Sequence, residues 1–273
     1  MANTVSILGA TGKTGREVLR LLLAKEDVKI NIYVRSRSKL VDMFPSLSSS
    51  PSISIFEGPL SDVGNMIKCL GGVQRIIFTL GENDNLPGVS VIEDGAKTVL
   101  AALAALRRDQ KDWRRPRLLL LSSATWNPTL AATRPGLVHW AIKTAFFYPY
   151  ADLRRGQALF LAASSLVDVL LVQPNGLVED EPNGHHISVE WASLSVTYGD
   201  LGAAFVDLTC SADWDALPAV GVSSTNGDNG LKYGPILGYR IVRGLCSYIP
   251  GFWTMNKLVS AAISSLPFIA KAG

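Results

Sequence analysis

The chain has 273 residues, 48% of them hydrophobic and 18% charged, with a formal net charge of +3. Those values exclude a disordered chain and fit one large α/β domain, or one domain with a small appended lobe. Basic residues are scattered, with only the local pairs Arg107-Arg108 and Arg114-Arg115, so no clustered basic face speaks for nucleic acid.

Short apolar runs alternate with helical patterns through the first two-thirds, the sequence sign of βαβ units and a parallel sheet. Residues 4–8 read as a first strand, and 14–24 as a helix whose Val18, Leu19, Leu22 and Leu23 face a core. A second strand is expected over 29–34 and a third over 52–56, after a serine-rich loop. A short helix over 63–70 ends at Gly71-Gly72, a fourth strand covers 75–80, and a long Ala/Leu-rich helix covers 89–107. Residues 117–121 are nearly all leucine, as in a strand buried on both faces. A helix over 137–147 and a sixth strand over 167–172 follow. From about residue 180 the alternation weakens and Gly and Pro become frequent, so these segments are expected to cover a ligand cleft rather than extend the sheet. The expected fold is α/β: a Rossmann-type, doubly wound parallel sheet over 1–180. A small C-terminal, substrate-covering region over 181–273 packs on it.

The first strand runs directly into Gly9-Ala10-Thr11-Gly12-Lys13-Thr14-Gly15, and a helix follows at once. Strand, tight turn and helix start are the context that gives a glycine-rich string meaning. The first glycine permits the turn, the second clears a path for a pyrophosphate, and the third lets helix and strand pack closely. Free N–H groups and the positive end of the helix then hold the anion, with Thr11, Lys13 and Thr14 beside it.

An acid about 20 residues on is the usual mark of an NAD site. Here Arg35 stands 20 positions after Gly15, and Arg35-Ser36-Arg37-Ser38-Lys39 contains no acid. Guanidinium and hydroxyl groups suit the 2′-phosphate of NADP, which an acid would repel. Ligands lie at the carboxyl ends of parallel strands, which adds Asp62, Thr79, Leu80, Gly81, Ser122 and Ser123 as cofactor contacts. Asp62 reads equally as a helix cap before Val63.

Cys69, Cys210 and Cys246 form neither a disulfide framework nor a metal-ligand spacing, so no metal is expected and the setting is a reducing cytoplasm. No signal segment or apolar run of membrane-spanning length stands out. Apolar runs at 249–253 and 258–269 are explained by core packing or a homodimer contact more simply than by a membrane surface.

VSILGATGKTGREVLRLLL, YVRSRSKL, IFEGPLSD, LLLLSSAT and VDVLLVQPNGLVED, in this order from residue 4 to about 210, resemble the atypical short-chain dehydrogenases/reductases, and within them the NmrA-like NAD(P)-binding proteins. That resemblance implies a soluble NAD(P)-binding protein of one of three kinds. The first is a reductase acting on a hydrophobic small molecule, often in secondary metabolism. The second is an isomerase or cyclase in which NADP is structural, and the third an NADP-sensing regulator. It also implies a Tyr, and a Lys four residues later, on the helix before the sixth strand, where the lysine charge helps the phenol give or take a proton. The matching positions are Tyr150 and Arg154. Arginine keeps the charge but cannot pass on its proton, which puts ordinary carbonyl reduction in question.

His139 and Lys143 form a second pair, one helical turn apart, in which the lysine would hold the imidazole neutral for acid/base work. His185-His186 are expected in a loop over the substrate and lack a third metal ligand. Ser122 and Ser123 sit outside any nucleophile elbow. Trp126, Trp140, Phe146, Phe147, Tyr150 and Trp191 make a lining suited to a flat, apolar, aromatic or polyketide-like substrate.

Overall fold

The expected alternation appears in the computed structural model, which describes residues 3–25 and 27–264. In chain order the elements are β1 (Asn3–Leu8), α1 (Lys13–Leu22), β2 (Val28–Val34), α2 (Arg37–Met43), β3 (Ile53–Glu57), α3 (Val63–Leu70), β4 (Arg75–Phe78), α4 (Val91–Asp109) and β5 (Arg117–Leu121). There follow α5 (Gly136–Ala145), α6 (Phe147–Ala162), β6 (Asp168–Pro174), β7 (Gly176–Val178), β8 (His185–Ser188), β9 (Ser195–Thr197), α7 (Tyr198–Cys210), β10 (Ala219–Ser224), α8 (Gly230–Cys246) and α9 (Phe252–Ser264).

Eight strands form one sheet in the order β3-β2-β1-β4-β5-β6-β10-β8, parallel except for β8, which pairs antiparallel with β10. Strands β7 and β9 make a separate small ladder. Side chains alternate across each strand, and β5 shows the consequence. Leu119 enters the core shared with α1, α2 and α7, whereas Leu118 and Leu120 enter the core shared with α3, α4 and α6. Helices thus cover both faces, which is why β5 tolerates an unbroken leucine run. The strand order reverses between β1 and β4, and that switch point is where an open α/β sheet has its ligand crevice.

The sheet does not stop near residue 180. Strand β10 pairs parallel with β6, β8 closes the edge, and α7 packs against α1 so closely that a Cβ on Gly202 would lie 2.7 Å from the Glu17 Cβ. The expectation that these segments cover the cleft rather than extend the sheet is therefore corrected for 185–224. Their signals are weak because β10 carries Gly221 and two serines, and α7 carries Gly199 and Gly202. His185 and His186 accordingly lie on edge strand β8, not in a substrate loop, and His185 Nε2 is 3.0 Å from the Asp207 carboxylate. Helix α2, capped by Ser36, is an element that apolar periodicity over so few residues does not reveal.

Helix α6 is fixed from below. Asp152 is fully buried and accepts from the N–H groups of Ile92, at 2.9 Å, and Glu93, at 3.0 Å, at the start of α4. A carboxylate at a helix N-terminus meets unsatisfied donors and a favourable dipole. Gly156, one turn on, allows the contact, since a Cβ there would lie 2.6 Å from Ile92 Cγ2.

Near the C-terminus, α8 packs on α5 with Gly244 against the Ala145 carbonyl, and buried Asn85 accepts from the Tyr148 N–H and donates to Ser247 Oγ. Ile249 and Leu258 are 60% and 66% exposed, so they are not core, and 265–269 of the apolar run lie outside the described residues. No helix among the described residues is long and apolar enough to cross a membrane.

Candidate active site

The glycine turn has the geometry that its spacing predicts. Gly9 adopts φ 98°, a conformation that side chains resist, and the Gly12 N–H donates to its carbonyl at 2.9 Å. A Cβ on Gly15 would stand 2.2 Å from the Gly9 oxygen and 2.8 Å from Thr79 Oγ1. Gly12 caps α1 without any side-chain hydrogen bond, so the helix start carries bare backbone donors. Thr14 is buried, while Lys13 turns away to pair with Glu179 and lies 5.6 Å over the Tyr198 ring. Hydrogen bonding to Lys13 holds the Glu179 carboxyl below its usual range. Thr79 donates from Oγ1 to the Leu8 carbonyl at 3.0 Å, locking β4 to β1 at the turn. Leu80 and Gly81 lead out of the sheet just beyond it.

A cavity of about 580 Å³ is lined by Arg35, Leu60, Ser61, Val89, Ser90, Val91, Asp94, Lys97 and Thr98. Arg35 pairs with no carboxylate among the described residues, whereas Lys97 is bound to Glu93. Ser36 Oγ accepts from the Lys39 N–H at 3.2 Å and so caps α2. Strand β3 supplies an acid that the β2 stretch lacks, since Glu57 accepts from the Arg37 N–H at 3.0 Å. Asp62 accepts from the Asn65 N–H at 2.9 Å, the capping role.

The second half of the site lies at the end of β5. Ser122 Oγ donates to Gln157 at 2.8 Å. Ser123 Oγ donates to the Tyr150 hydroxyl at 3.3 Å, and Thr125 Oγ1 lies 3.2 Å from the same oxygen. Arg134 Nη1 donates to Thr125 Oγ1 at 3.1 Å, which leaves the threonine proton free to point at Tyr150. Arg134 is held in turn by Asn175, whose amide donates to the carbonyls of Ala192 and Ser193. The Tyr150 ring packs on the α4 core while its hydroxyl reaches this polar chain.

Trp126 is where the two sequence-read pairs meet. Lys143 Nζ lies 4.4 Å and Arg154 Cζ 4.6 Å from its ring centroid, and Tyr150 meets it edge-on at 5.8 Å. Arg154 therefore stacks on tryptophan and makes no hydrogen bond to the Tyr150 hydroxyl; the cation in that chain is Arg134. Burial foremost, then Lys143 and Arg134, lower the His139 pKa below its ordinary 6.5. Arg134 and Asn175 escaped the sequence reading because each acts through a tertiary contact that no local pattern marks. Of the aromatic lining, Phe146 joins Tyr150 at 6.0 Å, whereas Trp140, Phe147 and Trp191 are exposed.

A family profile described as NAD(P)H-binding matches residues 9–208, from the glycine turn into α7. The chain belongs to the NAD(P)H-binding family. It is an oxidoreductase of the atypical short-chain dehydrogenase/reductase type. Similar proteins include oxidoreductase stcQ of Emericella nidulans, 37% identical over 212 residues, which are 76% of this chain and 77% of the relative. Oxidoreductase GME11367 of Pestalotiopsis microspora is 31% identical over 94% of this chain and 98% of its own. The fold matches a wide-type short-chain dehydrogenase/reductase of Veillonella parvula, solved in complex with NADP, with TM-score 0.65, 16% identity, and 84% and 97% coverage. NAD(P) fits the residues present: Gly9 and Gly15 let the turn close tightly against Thr79, the helix start is bare, and Arg35, without a carboxylate partner among the described residues, follows β2.

Proposed function

We propose that the chain is an NADP(H)-dependent oxidoreductase that reduces a carbonyl on a hydrophobic, aromatic or polyketide-like small molecule in secondary metabolism. The observation that carries this reading is the Tyr150 hydroxyl at the end of β5, contacted by Ser123 and Thr125. Ser123 donates to its oxygen, and with Thr125 oriented to donate as well the phenol proton points outward. When bound, NADPH supplies hydride to the carbonyl carbon. Tyr150 gives its proton to the carbonyl oxygen, so the ketone becomes an alcohol. Arg134, through Thr125, positions the phenol and places a positive charge nearby. The backbone of Gly12, Lys13 and Thr14 holds the pyrophosphate, and Arg35 with Ser36 and Arg37 takes the 2′-phosphate.

Helices α8 and α9 carry the cap role read over 181–273, since β8 and β10 belong to the sheet and α7 packs on α1. The three cysteines are free thiols, in keeping with a reducing cytoplasm. A second reading has one observation in its favour: the cation one turn after Tyr150 stacks on Trp126. An isomerase or cyclase with structural NADP needs no proton relay there. The test is the near-ultraviolet absorbance of NADPH with a panel of aromatic ketones and quinones. Consumption with alcohol formed supports reduction. Product without consumption selects the isomerase or cyclase, and tight NADP binding without any product leaves a sensing role.

A further inference from the structure

Ten of the 26 lysines and arginines form an ion pair with a carboxylate among the described residues. Lys13, Arg75, Lys97, Arg117, Arg155, Lys232 and Arg243 all pair with carboxylates. Around Trp126 and its neighbour Thr125, three cations without such a partner stand together. Lys143 and Arg154 lie over the ring, and Arg134 bonds only to neutral oxygens of Thr125 and Asn175. None of the three, nor His139, has a carboxylate within ion-pair distance among the described residues.

Burial pushes the Arg134 guanidinium down, the mark of a charge partly stripped of water, and His139 feels both Arg134 and Lys143. Arg134 is partly buried with no anion to compensate it, and Lys143 and the exposed Arg154 add two positive charges at the nearby Trp126 ring. A tryptophan face returns only about 1 kcal/mol per cation. The field at this spot is therefore positive and open to a negative ligand. The cofactor's phosphates are assigned elsewhere, to the glycine turn and Arg35, at the ends of β1 and β2.

We propose that Lys143, Arg154 and Arg134 form an anion-recognition site, so that the substrate is a flat aromatic molecule bearing a carboxylate or an ionised phenol. The site rests on the reading of Tyr150 as the reacting group and specifies its substrate. An anionic substituent over Trp126 fixes the ring plane beside the Tyr150 hydroxyl, since the two side chains touch edge to face. Apolar lining gives affinity for the ring, and the cations choose which rings enter.

The test is calorimetric binding of naphthoate and the equally shaped, neutral naphthamide to the full chain, with and without saturating NADP. Naphthoate is expected to bind at least about tenfold more tightly, as one charge-assisted contact provides. The preference should shrink with added salt. It should vanish in the double variant Lys143→Gln with Arg154→Gln, whose NADP affinity stays at the unmodified value and so reports intact folding. Equal affinity for the two probes, no binding of naphthoate, or a loss of NADP affinity in the double variant would overturn the proposal. Reduction chemistry is tested separately: an anion preference without NADPH consumption on any substrate sinks the reductase reading and leaves the anion site standing.

Discussion

The two ends of the cleft are built from different materials. At the β1–α1 end, the proposed function rests on what side chains leave out: Gly9 and Gly15 stand where a Cβ would strike backbone, and α1 starts with bare donors. At the β5–α6 end it rests on what side chains bring in, as Tyr150, Thr125, Arg134 and Asn175 pass hydrogen bonds across four segments. The first kind of site is local, and a side chain at Gly9 or Gly15 would strike its neighbours. The second is assembled over long sequence distances, and its parts can change one at a time. A shared dinucleotide fold can thus serve many reactions.

The largest expected effect tests the first end. Gly15→Ala places a methyl 2.2 Å from the Gly9 oxygen, so the turn must move. We expect a stability loss of about 3 kcal/mol in urea denaturation and a fall in NADP affinity of about a hundredfold by calorimetry. Near-normal affinity would show that the close approach is not what makes the site.

The next tests the second end alone. Tyr150→Phe should lower hydride transfer about a hundredfold or more while NADP affinity holds. Unchanged turnover would remove Tyr150 from the chemistry, and a joint loss of affinity would merge the two ends into one.

Arg134→Gln should have a smaller effect, about tenfold to a hundredfold in kcat, from the loss of one charged hydrogen bond. Its pH–rate profile should shift on the alkaline side, and Arg134→Lys should recover part of the rate. A KM effect without a kcat effect would reduce Arg134 to a packing role.

The smallest effect is at His139. Its imidazole, held below 6.5 by burial and by Lys143 and Arg134, should titrate by NMR below that value and rise in Lys143→Gln. A lowered folded pKa means that the unfolded chain takes up the proton first. The contribution of His139 to stability is therefore present above pH 6.5 and is lost as pH falls through the folded value. Titration at or above 6.5 would show that the cations around Trp126 do not act on it.

Legibility followed the same division. The glycine turn could be read because each glycine answers to a backbone constraint within seven residues, and the leucines of β5 because burial on both faces leaves no alternation. Arg35 was proposed because the end of the second strand is a fixed distance from the turn. Tyr150 was found through a family pattern, but the pattern's next residue, Arg154, went to Trp126 instead. Arg134 stands before Pro135 in a loop, with no periodicity to mark it, and gains meaning only from Thr125 and Asn175. Strand β10 was hidden by serines and a glycine, because its place between β6 and β8 comes from pairing and not from composition.

The central claim is that bare backbone and an arginine together select NADP. Calorimetry of NADP and NAD on the unmodified chain and on Arg35→Asp tests it most directly. The account predicts tighter binding of NADP than of NAD by the unmodified chain, and a preference abolished in the variant with little change in NAD affinity. Equal binding of the two cofactors, or equal losses of both in Arg35→Asp, would contradict it.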